Sequence, residues 1–315
     1  SRPSYSDFAP LLSVTVGKAL RELDNFDVVH SHLDHFGLPL TRQTSTPVVS
    51  TLHGRLDLPE HEPLYREFAD APLVSISHAQ RAPAAWANFV ATVYHGIDLD
   101  QFTFNPAPRE YLAYLGRVSP EKGLDTAIHV ARKTGLPLKV MARMPLPFRN
   151  EPGVQDDWEY WEQVVQPLLG SDVEMVGEMG AVERDALLRN ATALLFPIRW
   201  PEPFGLVMIE ALACGTPVLA LRCGSVAEVV REGVTGFICD NADELVTAVG
   251  HVRNLDRWTC RQEAERRFSP AAMARAYEKV YERLIATANR MKVVPLPRAN
   301  MVYVNGSNAA SAAAR

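Results

Sequence analysis

The chain has 315 residues, of which 47% are hydrophobic and 22% charged, with a formal net charge of −5. That is the make-up of a globular protein long enough for about two domains at roughly 150 residues each. With no basic excess and no polybasic run, it argues against a nucleic-acid partner and against a stable membrane anchor. No apolar run approaches the roughly 18 residues of a membrane span, and no signal-peptide pattern opens the chain. Cys214, Cys223, Cys239 and Cys260 form no C-x-x-C pair, so they match neither a zinc site nor a disulfide framework. They are expected to be reduced, structural residues of a cytoplasmic protein.

In chain order, short runs rich in Val, Ile and Leu predict strands at 26–30, 47–52, 73–77 and 91–94 in the first half. The second half adds 111–115, 138–141, 173–176, 193–197, 218–221 and 236–239. Such runs suit strands buried on both faces, and their alternation with helical stretches implies parallel sheets built from βαβ units. The expected fold class is α/β with two Rossmann-like domains. The second has a full set of strands; the first is short of them. Pro106 and Pro108 make the segment 105–109 an interdomain linker. Ser269 and Pro270 read as the N-cap and first residue of an amphipathic helix running to about Asn289. The Ala-, Asn- and Ser-rich tail that follows is expected to be disordered or a linker. The expected boundaries are thus 1–104, 105–268, 269–290 for the helix and 291–315 for the tail.

The stretch from Arg199 to Pro217 reads RWPEPFGLVMIEALACGTP and follows a predicted strand. Open α/β sheets bind ligands at the carboxyl ends of their strands. Pro203 suits a first helical position, so a helix is expected from Phe204 to Ala213. Gly205 in its first turn would let a ligand approach free backbone N–H groups, which form an anion site. The spacing of Glu202 and Glu210 puts one at the helix mouth and the other about two turns deeper. The bland alternative is a surface helix with two solvated glutamates.

This string resembles the E-x7-E signature of retaining glycosyltransferases with the GT-B fold, in particular family 4, the glycosyl transferases group 1. Supporting strings stand in the family's order. Tyr114-Leu115-Gly116-Arg117 followed by Glu121-Lys122-Gly123 is similar to its GR…EKG element. Tyr94-His95-Gly96-Ile97-Asp98 resembles its NGID turn, with His95 in place of Asn. Gly177-Glu178 and the Gly233–Phe237 turn, similar to a hairpin-like G-x-T-G-F, complete the set, over roughly residues 26–285.

The resemblance implies a retaining, metal-independent transfer of a sugar from a nucleotide-diphosphate sugar to an acceptor hydroxyl. No cofactor beyond the donor is implied, and the acceptor could be a carbohydrate, a lipid or a small molecule. The first domain would face the acceptor and the second the donor. Arg117 and Lys122 would hold the diphosphate, a planar fork beside a point charge. Glu202 would face the transferred sugar and Glu210 the donor ribose. Phe204, Gly205, Leu206 and Val207 would offer backbone contacts, Leu206 and Val207 also packing. Glu178 would lie near the base, and His53, after the strand 47–52, near the sugar. His30, His32 and His35 suggest a metal cluster at first sight, but the surrounding residues do not support one, and they read better as a loop lining the cleft. Ser77 and His78 are weaker candidates for substrate contact.

One departure stands out. The family opens with a strand, a glycine-rich loop and a helix, whereas Gly17 is the only glycine among residues 1–36. About two βα units are missing from the front by this measure, and Ser1 in place of Met favours a fragment of a longer chain. The alternative function is therefore a catalytically impaired nucleotide-sugar or carbohydrate-binding module. A dinucleotide oxidoreductase is disfavoured because no G-x-G-x-x-G follows any strand.

Overall fold

A computed structural model describes residues 9–108, 110–147, 154–178 and 180–292. Ten strands run through it: β1 (Val29–Ser31), β2 (Val48–Thr51), β3 (Leu73–Ser75), β4 (Phe89–Thr92), β5 (Leu112–Arg117), β6 (Leu138–Arg143), β7 (Val173–Met175), β8 (Ala193–Phe196), β9 (Val218–Leu221) and β10 (Gly236–Cys239). Each expected run contains or overlaps one of them. The helices are α1 (Ala9–Leu20), α2 (His61–Glu67), α3 (His78–Arg81), α4 (Leu124–Thr134), α5 (Val154–Tyr160), α6 (Ala181–Asn190), α7 (Leu206–Ala213), α8 (Val226–Val229), α9 (Ala242–His251), α10 (Arg257–Arg267) and α11 (Pro270–Lys292).

The strands form two sheets, ordered β1-β2-β3-β4 and β10-β9-β8-β5-β6-β7, and every pairing is parallel. The expected hairpin-like turn at Gly233–Phe237 is corrected by this. The turn leads into β10, which runs parallel to β9, and its bend is set by Thr235 Oγ1, which accepts from Arg231 N at 2.9 Å. In the second sheet the chain moves outward from β5 to β6 and β7, then returns to β8 on the other side of β5. That reversal opens a crevice beyond the carboxyl ends of β5 and β8, where doubly wound sheets hold ligands.

Helices cover both faces of the second sheet. On one face Leu124, Ile128, Leu245 and Val249 pack on Leu112, Leu138 and Val140. On the other, Met208, Ile209 and Leu212 of α7 join Leu194, Phe196, Val218 and Phe268. Residues 208–213 are all buried, so α7 is apolar around its whole circumference apart from Glu210. Cys214, Cys239 and Cys260 lie buried and all four cysteines are free.

The helix expected after Ser269 starts at Pro270, with Ser269 Oγ accepting from Ala272 N at 3.3 Å. Met273, Ala276, Tyr277, Val280, Tyr281 and Leu284 recur at helical spacing and cover Val49, Val74 and Val93 of the first sheet. The chain thus returns from the second sheet to finish the core of the first. Residues 293–315 of the expected tail lie outside the described residues, as do Arg109 of the linker and the first eight residues. Among the described residues, no helix is long and apolar enough to cross a membrane.

Candidate functional site

The loop after β5 and the loop after β8 meet in the crevice. Arg199 N donates to Glu121 O at 2.8 Å, and Arg199 Nη2 reaches Asp125 Oδ2 at 2.6 Å and Thr126 Oγ1 at 2.5 Å. From below, the buried Tyr114 hydroxyl donates to the carbonyls of Arg117 and Lys122, both at 3.3 Å. Gly123 closes the turn with φ of 70°, and a Cβ there would stand 2.3 Å from Pro197 O. The E-K-G string is therefore a fitted part: Glu121 and Gly123 lock against the β8 loop, and Lys122 between them is aimed by both.

Lys122 Nζ donates to Glu202 Oε2, and Trp200 Nε1 donates to the same oxygen at 2.9 Å. The ammonium also lies 5.2 Å from the Trp200 ring centroid, within range of a cation–π attraction. Both side chains are largely shielded, at 20% and 14% exposure, so the pair interacts through a medium less polar than water. Arg117, at the end of β5, takes a different direction. Its guanidinium donates to Glu121 Oε1 and stands 3.9 Å from Asp157. It lines a cavity of about 540 Å³ with Arg55, Arg143 and Asp156. Glu178 is exposed and lines an adjoining cavity of about 360 Å³ that shares Arg143 and Met144 with the first.

The helix expected from Phe204 begins instead at Leu206, so Pro203 is not its first residue. Two buried serines explain the difference: Ser77 Oγ donates to Pro203 O at 2.6 Å and Ser225 Oγ to Phe204 O at 2.7 Å. These bonds anchor the two carbonyls to serines of other segments, and Gly205, with φ of 75°, turns the chain into α7 as its N-cap. Phe204 is buried, while Leu206 is 46% exposed at the helix mouth and so does not serve the core as expected. Glu210 lies only about one turn inside this shorter helix. It is buried at 8% exposure and pairs with Arg184 of α6 at 3.1 Å. Burial raises its pKa, and the Arg184 charge opposes the rise.

Ser77 is likewise corrected. It is fully buried, caps α3 by accepting from Gln80 N at 2.9 Å, and ties the first half to the second through Pro203. His78 enters through its backbone: His78 N and Ala79 N donate to the Glu228 carboxylate at 2.8 and 2.7 Å, and the Tyr94 hydroxyl joins them at 3.0 Å.

The histidines gather at the carboxyl ends of the first sheet. His53 Nε2 faces His32 Nδ1 at 2.9 Å, and the His53 ring stacks on His95 at 5.4 Å and 11°. His95 packs edge-on against Phe204 at 5.0 Å, which brings His53 toward the Glu202 loop. The expected trio splits. His35 turns to Phe36 and His61. Both ring nitrogens of His30 are engaged, with Tyr281 Oη at 2.8 Å and Thr51 Oγ1 at 2.7 Å. Burial, reinforced by neighbouring imidazoles, lowers the pKa of His30 and of His95 to about 4 and also lowers that of His32.

These shifts predict an acid-sensitive fold. His30 and His95 are held neutral in the native state, while the unfolded chain takes up protons near its ordinary value of 6.5. The unfolded state therefore binds more protons, and stability falls as the pH drops from 6.5 toward 4. With both rings partly open to solvent, the loss between about pH 7.5 and about pH 5 is roughly 1–3 kcal/mol, read from urea midpoints. A flat profile over that range would contradict it.

Trp200, Arg55, Arg184 and the stacking of His95 were not assigned from sequence. Trp200 stands inside the conspicuous string and Arg55 two residues beyond His53; Arg184 carries no sequence signal at all. Arg55 reaches the Trp200 ring at 5.8 Å and so links the two halves across the crevice.

An uncharacterized glycosyltransferase of Methanocaldococcus jannaschii is 24% identical over 289 residues, covering 85% of this chain and 79% of that protein. The D-inositol 3-phosphate glycosyltransferase 1 of Catenulispora acidiphila is 28% identical over 265 residues, 71% of this chain; the match spans 62% of that relative's length. Among solved structures, Anabaena HepE in complex with UDP and glucose superposes with a TM-score of 0.68 at 21% identity, over 90% of this chain and 84% of that one. The family model of the glycosyl transferases group 1 matches residues 98–272, which include both glutamates and Lys122. On these grounds the chain belongs to the glycosyl transferases group 1 family, and its fold is GT-B.

Proposed function

We propose that the protein is a retaining glycosyltransferase that moves a sugar from a nucleotide-diphosphate sugar to an acceptor hydroxyl without a metal ion. The observation that carries this reading is the Lys122–Glu202–Trp200 cluster at the reversal point of the second sheet, with His53 linked to the Glu202 loop through His95 and Phe204. Residues 105–268 serve as the donor domain, and the first sheet faces the acceptor.

Breaking the bond between the sugar and the diphosphate leaves an anion that needs positive partners. Lys122, in the loop after β5, and Arg117, at the end of that strand, would supply them, with the N–H groups that open α7. A diphosphate that competes for the Lys122 ammonium releases Glu202 Oε2 to accept from sugar hydroxyls. Glu210 is suited to the ribose hydroxyls, with Arg184 beside it opposing the rise that burial imposes on its pKa. Glu178 stands by the base, and His53 by the sugar. In the front-face reaction the bond from the anomeric carbon to the phosphate oxygen breaks as the bond to the acceptor oxygen forms on the same side. The acceptor proton passes to the departing phosphate.

A panel of UDP-, GDP- and ADP-sugars tests the reading by nucleotide release, with and without EDTA. One donor should turn over, EDTA should change the rate by less than about twofold, and the product should keep the donor's anomeric configuration by proton NMR. Tight donor binding with no release in the presence of any sugar acceptor would favour the binding-module alternative, and inversion would sink the retaining assignment.

A further inference from the structure

The proposed reaction uses one histidine, yet His53 sits in a row of four. His30 belongs to β1 and His32 follows it, His53 lies just past β2, and His95 lies past β4. Neighbouring ring centroids are 4.1 Å apart for His30 and His32, 5.2 Å for His32 and His53, and 5.4 Å for His53 and His95. Both ends are anchored. Tyr281 and Thr51 hold His30, and Thr51 Oγ1 is itself 3.0 Å from the Tyr277 hydroxyl on α11. Phe204 holds His95, its ring at 86° to the imidazole. Asp34 Oδ1 fixes the backbone beneath the row by accepting from His53 N at 2.9 Å.

The middle of the row carries a chemical constraint. His32 Nδ1 and His53 Nε2 are 2.9 Å apart, and two neutral imidazoles that meet nitrogen to nitrogen can place only one proton between them. One nitrogen donates and the other must be bare. The tautomers of His32 and His53 are therefore coupled: the form of one ring fixes that of the other, and the second ring nitrogen of His53 takes the form complementary to its Nε2. Burial keeps His30 and His95 neutral, so neither end disturbs this with a charge.

We propose that His32 and His95 are positioning residues for His53. His32 sets which ring nitrogen of His53 carries the proton, and His95 sets the plane of the ring, so that a sugar hydroxyl meets His53 Nδ1 in a single protonation form. This rests on His53 facing the transferred sugar. A free imidazole would present a donor in some molecules and an acceptor in others, and only one of the two fits a given hydroxyl arrangement. Holding one form and one orientation removes that loss from every encounter.

Nitrogen-15 NMR of histidine-labelled protein at about pH 7.5 tests the coupling without any substrate. The wild-type protein should show His53 as one tautomer. His32→Phe, which keeps an aromatic ring but removes the partner nitrogen, should show a mixture. In transfer assays His32→Phe and His95→Ala should each lower kcat about 10-fold with donor KM changed by less than about threefold, and His95→Phe should recover most of the His95→Ala loss. Two tautomers in the wild type, an unchanged single tautomer in His32→Phe, or no recovery with His95→Phe would each overturn the proposal. If the wild-type protein turns over no donor, the glycosyl-transfer reading fails, and the NMR comparison still decides the coupling.

Discussion

Glu202→Gln lowers sugar transfer by about 10²–10³-fold, the scale seen when a charged group is removed from around developing charge. The substitution keeps the shape of the side chain. It removes the negative charge that Lys122 and Trp200 Nε1 both address on Oε2. Lys122→Ala costs a similar factor from the other side, by taking away the ammonium that a diphosphate would meet. The double variant should fall well short of the product of the two losses, because each residue acts partly through the other. Each variant leaves a partner charge without its counter-ion in a largely shielded place, so each costs roughly 1–3 kcal/mol of stability. The check is kcat/KM for all three variants beside their melting temperatures. Full transfer by either single variant removes both residues from the proposed site.

Gly123→Ala acts through the fold. The new methyl would stand 2.3 Å from Pro197 O, a backbone atom, at a residue whose φ of 70° is costly for any side chain. Relief requires the β5 loop to part from the β8 loop, at a cost of roughly 2–4 kcal/mol. Lys122 moves with the loop, so transfer should fall about 10-fold or more in molecules that remain folded. Chemical denaturation and activity at a temperature well below the transition separate the two effects. Wild-type stability in this variant would mean that the two loops are not locked as described.

The architecture was legible because it is written in local patterns. Ten apolar runs gave ten strands, and their alternation with helices gave parallel sheets. Local reading went wrong where distant residues intervene. The helix after β8 starts two residues later than Pro203 and Phe204 suggest, because Ser77 and Ser225 hold the two carbonyls that would have opened it. Periodicity cannot report a bond from residue 77 to residue 203. The site shows the same division. Glu202, Lys122 and His53 were reachable only through motifs whose order resembles a family, since their spacing in sequence gives no hint that Lys122 and Glu202 touch. The histidine stack was out of reach for that reason too. His95 read as a departure in a turn motif, and its ring is explained only by His53 and Phe204, from two other segments.

The return of α11 to the first sheet sets the order in which the molecule can be assembled. Val49, Val74 and Val93 are made early, but the residues that cover them, from Met273 to Leu284, come after the whole second sheet. During synthesis the first sheet must wait with an apolar face uncovered while almost two hundred further residues emerge, at a rate of roughly 5–20 residues per second. The second sheet, whose covering helices are all close in sequence, can close first. Folding would then run against the order of synthesis for the half built on the first sheet, which makes that half the exposed one whenever translation is slow or α11 is weakened.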